Sequence, residues 1–117
     1  FANEDESLAF TGLHCEESVK KMAETCKIAV VKTGEKGSLI CSDRELYRIP
    51  PFKVRPVDTT GAGDLYASGF LFGLMNGLSI ERSGTIGSLL AAKVIEKVGA
   101  KIPAEEWDGI IKETERI

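Results

Sequence analysis

Sixteen consecutive residues, Leu65 to Ile80, carry no charge, and they follow directly on Gly61-Ala62-Gly63-Asp64. This run limits the folds open to the chain. A spanning helix needs about 20 apolar residues, so the run reads as a core helix, Gly61 to Asn76, apolar almost all round and therefore expected to be buried. No membrane span is expected. Gly69, Gly73 and Gly77 recur every four residues, a spacing that lets a neighbouring helix or strand approach closely. The residues before the run fit a strand end, then three positions without bulky side chains, then the helix.

The remaining pattern places this helix in an α/β protein. Glu4-Asp5-Glu6 suits the first turn of a short helix, where the helix dipole favours negative charge. Glu16 to Thr25 reads as a helix through Val19, Met22 and Ala23. Ile28-Ala29-Val30-Val31 is wholly apolar and rich in β-branched residues, as expected of a strand buried on both faces of a parallel sheet. Two or three further short strands are expected, at Ser38–Cys41, Glu45–Ile49 and Phe52–Val57, with Pro56 arguing against a central position for the last. Ser79 opens a helix running to about Val98, with Ile86, Leu89, Leu90, Val94 and Val98 on its apolar side. Pro103 begins a last helix whose inner face is Trp107, Ile110, Ile111, Thr114 and Ile117. Helices on both faces of a sheet are the expected arrangement.

Composition excludes some classes. With 43% hydrophobic and 28% charged residues over 117 positions, the chain is globular rather than disordered. A net charge of −3 gives no pull toward nucleic acid or anionic membranes. Cys15, Cys26 and Cys41 are odd in number and lack metal-ligand spacing, so they read as buried or half-buried reduced thiols in a cytoplasmic protein. His14 reads as a surface or turn residue. The chain opens on Phe1, which suggests a piece of something longer.

Gly61, Ala62 and Gly63 allow a ligand close to the backbone, and the N–H groups of a helix start, together with its dipole, make an anion site. Phosphate is the usual anion. Asp64 in the same turn would repel it unless the carboxylate has separate work, such as taking a proton from an attacking hydroxyl. A simple helix cap at Asp64 is the alternative on these residues alone. The segment is neither a Walker A loop nor a dinucleotide fingerprint.

Asp58 through Leu71 resembles the second signature of the ribokinase-like (PfkB) carbohydrate kinases, including its Gly-Ala-Gly-Asp core and the small pair Ser68-Gly69. In the order that family shows, Asn3-Glu4-Asp5-Glu6 is similar to its Asn-x-x-Glu motif. Lys32-Thr33-Gly34-Glu35-Lys36-Gly37 is similar to its nucleotide-binding turn, and Ala91 to Ala100 to its late helix and following loop. The resemblance implies the C-terminal portion of a three-layer α/β/α sandwich, occupying residues 1–117 without the N-terminal part. It further implies ATP-dependent phosphorylation of a sugar or nucleoside hydroxymethyl group, with Asp64 as general base. The N–H groups of Gly61, Ala62, Gly63 and Asp64 would form an anion hole around the transferring phosphoryl.

By the same resemblance, Asn3 and Glu6 hold Mg2+ and phosphate largely through water; a helix cap is the other reading of this pair. Gly34 and Gly37 lie under the nucleotide, while Lys32 either touches a phosphate or lies at a strand end. Asp58 and Thr60 match residues whose oxygens bind a monovalent cation (K+) in several relatives, with the Gly99 region closing the loop. Ile102 or Pro103 stands where some relatives supply a further oxygen. The expected partner is a small sugar or nucleoside, with no nucleic acid and no membrane. An exposed apolar surface is expected where the remaining part would pack, managed by a homo-oligomer or another chain. The competing expectation is a non-catalytic nucleotide-binding fragment.

Overall fold

A computed structural model describes residues 1–117. The chain is α/β and divides into two compact units, Phe1–Pro51 and Phe52–Ile117.

The first unit holds β1 (Ala2–Asn3), α1 (Glu4–Thr11), α2 (Cys15–Met22), β2 (Ile28–Lys32), β3 (Ser38–Ser42) and β4 (Glu45–Ile49). The four strands pair in sequence order. β1 runs parallel to β2, whereas β3 and β4 continue antiparallel. The sheet is therefore mixed rather than parallel. The apolar run Ile28–Val31 is a central strand as its composition requires: Ala29, Val30 and Val31 are all buried. Ala29, Val31 and Cys41 pack with Val19 of α2, and Met22, Ala23, Leu39 and Leu46 surround them. Val30 and Ile40 belong to the opposite face by the two-residue period of a strand and are buried as well. Each large aliphatic side chain so buried contributes about 1.5–3 kcal/mol of hydrophobic stabilisation. α1 and α2 are tied by Thr11, whose hydroxyl donates to the Ser7 carbonyl at 2.7 Å and lies 2.6 Å from the Ser18 hydroxyl.

Two further sequence expectations are corrected in this unit. α2 ends at Met22, and residues up to Thr25 continue only as turns, Thr25 donating to the Met22 carbonyl. Cys26 is exposed, while Cys15 is half-buried and Cys41 buried; all three are free thiols.

The second unit holds α3 (Ala62–Met75), α4 (Ile80–Ile95) and α5 (Trp107–Glu115), the last entered through a 3₁₀ turn at Ala104–Glu106. Phe52–Val57 forms no strand. Pro51 and Pro56 each lack the N–H that a ladder would use, and within this unit Val57 instead donates to the Ile95 carbonyl at 2.7 Å. α3 and α4 pack backbone to backbone. A β-carbon on Gly69 would stand 2.9 Å from the Ile86 carbonyl oxygen, and one on Gly73 would stand 2.7 Å from the Ser83 Cα. Gly77 serves differently, ending α3 at φ 73° while Leu78 donates back to the Gly73 carbonyl.

The core of this unit is Leu89, Leu90, Val94, Ile102 and Ile110, flanked by Ala62, Leu65, Ile95, Trp107 and Ile117. α3 is not buried all round: Leu71, Phe72 and Met75 are exposed, Met75 at 86%. α4 stops at Ile95, so Val98 falls beyond it and is exposed, as is Ile111 on α5. Ser79 caps α4 by accepting from the Arg82 N–H. No helix is long and apolar enough to cross a membrane.

Candidate active site

The opening of α3 is a helix start without a side-chain cap. Gly61 occupies the N-cap with φ 81°, a left-handed conformation that disfavours other residues, and brings no side-chain cap. A β-carbon there would stand 2.6 Å from the Ala100 Cβ and 2.9 Å from its Cα, so both conformation and space demand glycine. The Ala62 N–H turns back to the Thr59 carbonyl at 3.3 Å, and Leu65 donates to the Gly61 carbonyl. The N–H groups of Gly63 and Asp64 have no partner in the protein. They leave the helix end with the positive end of its dipole behind them. The Asp64 side chain is exposed in that same turn.

Just upstream, Asp58 organises the approach. Its Oδ1 accepts from the Thr60 N–H at 2.9 Å and from the Thr60 hydroxyl at 2.6 Å. Its Oδ2 accepts from the Gly99 N–H at 2.8 Å. The Thr60 hydroxyl, the Gly99 N–H and the Thr60 N–H hold this carboxyl down at about 2. Oδ1 thus accepts two bonds, whereas Oδ2 accepts one and keeps a lone pair, and Ile102 and Pro103 bring no side-chain oxygen to the loop. Asp58 and Thr60 do meet, joined by two hydrogen bonds to Asp58 Oδ1. The Asp58–Gly99 bond, and the seating of Ala100 on Gly61, are features that spacing along the chain could not supply.

In the first unit, Asn3 and Glu6 also meet. Glu6 donates its N–H to Asn3 Oδ1 at 2.7 Å, while Glu6 Oε1 accepts the Asn3 N–H at 2.9 Å, forming a capping box on α1. The cap leaves Glu6 Oε2 outside this exchange. Asn3 sits opposite Lys32 in the parallel register of β1 and β2, so both lie at the same end of the sheet. The turn Thr33–Gly37 leaves from that end. Thr33 closes it, donating through both its N–H and its hydroxyl to the Gly37 carbonyl at 2.9 Å. Gly34 (φ 59°) faces open space. Gly37 (φ 93°) packs under the Ile49 carbonyl oxygen, leaving no room for a side chain. Lys32, Gly34 and Gly37 therefore share one sheet end with Asn3, a common location for ligands in α/β proteins.

No group of three or more His, Cys, Asp or Glu side chains forms a metal cage. Mg2+ needs no such cage: it commonly keeps several waters and takes one or two carboxylates together with substrate phosphates. The uncommitted Glu6 oxygen and the exposed site of Asn3 are compatible with that water-mediated mode. His14 stands at the exposed N-cap position of α2 without a capping bond and joins neither group.

Residues 1–107 match the pfkB family of carbohydrate kinases. The chain belongs to that family. This pfkB-family chain is 43% identical over 91 residues to an uncharacterized sugar kinase of Archaeoglobus fulgidus, covering 73% of this chain and 36% of the relative. Its fold is similar to adenosine kinase from Sinorhizobium meliloti, with a TM-score of 0.87 and 36% identity over 97% of this chain and 35% of the other. It is also similar to ribokinase from Thermotoga maritima, with a TM-score of 0.83 and 35% identity over 94% of this chain and 40% of the other. The chain thus spans little more than a third of these proteins, as part of a ribokinase-like α/β fold.

Proposed function

We propose that the protein is an ATP-dependent phosphotransferase acting on the hydroxymethyl group of a small sugar or nucleoside. In this reading residues 1–117 are the C-terminal, ATP-binding and catalytic portion of the kinase domain. The observation that carries it is the opening of α3, where two unpartnered N–H groups and an exposed carboxylate share one helical turn. The similarity to a sugar kinase and an adenosine kinase supports the acceptor class. Three free thiols and the use of ATP suit a cytoplasmic setting.

Phosphoryl transfer is mostly positioning and stabilisation of charge on oxygens. Asp64 accepts the proton of the attacking hydroxyl. That oxygen then bonds to the γ-phosphorus of ATP as the bond from phosphorus to the ADP oxygen breaks. The N–H groups of Gly63 and Asp64, with that of Gly61 beside them, donate to the phosphoryl oxygens. Ala62 contributes its small side chain and turns its own N–H back into the loop. Gly34 and Gly37 shape the turn beneath the nucleotide, and Lys32 offers a cation at the same sheet end. Asn3 and Glu6 would hold Mg2+ through water, and the ion, when bound, neutralises phosphate charge. Asp58 Oδ2, which keeps a lone pair beyond its bond to Gly99, would be the oxygen offered to K+.

Transfer of labelled γ-phosphate from ATP to a panel of sugars and nucleosides by the intact protein tests this reading. Labelled phosphate on one acceptor class is expected; none on any acceptor rejects the kinase reading. A second reading, a nucleotide-binding portion inactive by itself, draws on the chain's covering only 36% of the Archaeoglobus sugar kinase. Calorimetry with ATP and Mg2+ on residues 1–117, showing binding without transfer, would select it.

A further inference from the structure

α3 ends on Asn76-Gly77, an asparagine followed by a residue with no side chain; the only other asparagine of the chain is Asn3. The corner is open to solvent, with Met75, Asn76 and Gly77 all exposed. Two groups that can react with each other are held apart there. Asn76 Nδ2 donates to the Phe72 carbonyl at 2.8 Å, and the Gly77 N–H donates to the Leu74 carbonyl at 3.1 Å. Asn76 stands at ψ 14°. A ring from the Gly77 nitrogen to Asn76 Cγ closes only when that nitrogen is eclipsed with Cβ about the Cα–C bond, so ψ must rotate far from this value. The rotation breaks bonds of the last turn alone. Gly77 adds no obstacle, because it has open space where a side chain would be and nothing on its Cα shields its nitrogen.

We infer that Asn76-Gly77 is a self-modification site: local opening of the end of α3 lets Asn76 deamidate in the folded protein, and the carboxylate produced weakens that helix end. Hydroxide takes the Gly77 amide proton, and the nitrogen bonds to Asn76 Cγ. The Cγ–Nδ2 bond then breaks, and the side-chain nitrogen leaves as ammonia after taking a proton from water. The five-membered imide adds one water at either carbonyl, giving aspartate or isoaspartate. No oxidant or reductant takes part. Helix ends open far more readily than cores, so the whole unit need not unfold. Asn3 supplies the internal contrast. Its side-chain oxygen accepts from the Glu6 N–H at 2.7 Å, and Glu4 after it carries a side chain that crowds the attacking nitrogen. The product at position 76 lacks the donor that the Phe72 carbonyl receives. It also puts negative charge at the negative end of the helix dipole. Isoaspartate further lengthens the main chain just where Leu78 returns to the Gly73 carbonyl at 3.0 Å. None of this depends on the kinase reading.

The test keeps the intact, folded protein at mildly alkaline pH and follows its peptides over time by chromatography and mass spectrometry. The peptide carrying Asn76 is expected to gain the mass of an NH2-to-OH exchange and to separate into aspartate and isoaspartate forms. Asn76 is expected to convert at least about tenfold faster than Asn3, and within about a hundredfold of its rate in the denaturant-unfolded chain. Denaturant added below the unfolding transition should leave the rate nearly constant. Asn76→Gln, which would have to close a larger ring, should abolish the gain. Asn76→Asp, the product itself, should unfold at a lower denaturant concentration than wild type. Equal rates at Asn76 and Asn3 overturn the inference, as does an Asn76 that persists in the folded protein while the unfolded chain converts. A rate that climbs in step with the unfolded fraction overturns the local opening, and an Asn76→Asp midpoint equal to wild type overturns the weakening of α3.

Discussion

Ser83 sits directly beneath Gly73: a β-carbon added at Gly73 would stand 2.5 Å from the Ser83 hydroxyl oxygen, which is buried and has no hydrogen-bond partner. The two residues mark a close approach of α3 and α4, and they make opposite predictions. Gly73→Ala forces atoms into occupied space and is expected to destabilise by about 1–3 kcal/mol. Ser83→Ala removes an unsatisfied buried polar atom and is expected to stabilise by about 1 kcal/mol. Denaturant unfolding checks both, with the midpoint moving down for the first and up for the second.

Asn3 and Glu6 allow cap and metal roles to be separated. Asn3→Ala breaks the capping bond to the Glu6 N–H and is expected to cost about 1 kcal/mol. Glu6→Gln keeps an acceptor for the Asn3 N–H, and glutamine serves in capping boxes too. It is therefore expected to leave thermal stability within about 0.5 kcal/mol while raising the Mg2+ concentration needed for half-maximal transfer. Unchanged Mg2+ dependence would leave the pair as a cap alone.

Acid should break the bonds that Asp58 makes to Thr60 and Gly99. The folded-state carboxyl is held at about 2, below its ordinary 3.8, first by the Thr60 hydroxyl and then by the Gly99 and Thr60 N–H groups. A depressed carboxyl stabilises the folded form above its unfolded value and loses that contribution as pH falls through the folded one. Protection of the Gly99 amide, corrected for the intrinsic pH dependence of exchange, is expected to be constant above about pH 5 and to decline between about 4 and 2. Protection that is flat throughout that window would contradict the bonding described.

The sequence makes the turn at the start of α3 legible because local chemistry dictates it. Small residues before an uncharged helical run leave few alternatives, and Gly61 to Asp64 open α3 as expected. The central strand at Ile28–Val31 is readable for the same reason. Phe52–Val57 misleads: its β-branched and aromatic residues favour a strand, but Pro51 and Pro56 withhold donors and Val57 pairs with Ile95. Helical periodicity also overreaches at Val98, since α4 stops three residues earlier. Exposed Leu71, Phe72 and Met75 show the limit of inferring burial from apolarity alone. Spacing does not announce that Asp58 will bond Gly99; the family resemblance alone places the Gly99 region at this loop, because closure between distant segments is a property of the tertiary fold.

Asp64→Asn tests the central claim most directly. The substitution keeps the helix start and the backbone N–H groups while removing the proton acceptor. On an acceptor that the wild-type protein phosphorylates, kcat is expected to fall by about 10²–10⁴-fold, with the KM for ATP changed by no more than about threefold. A loss of only a few-fold would contradict the assignment of Asp64 as the base.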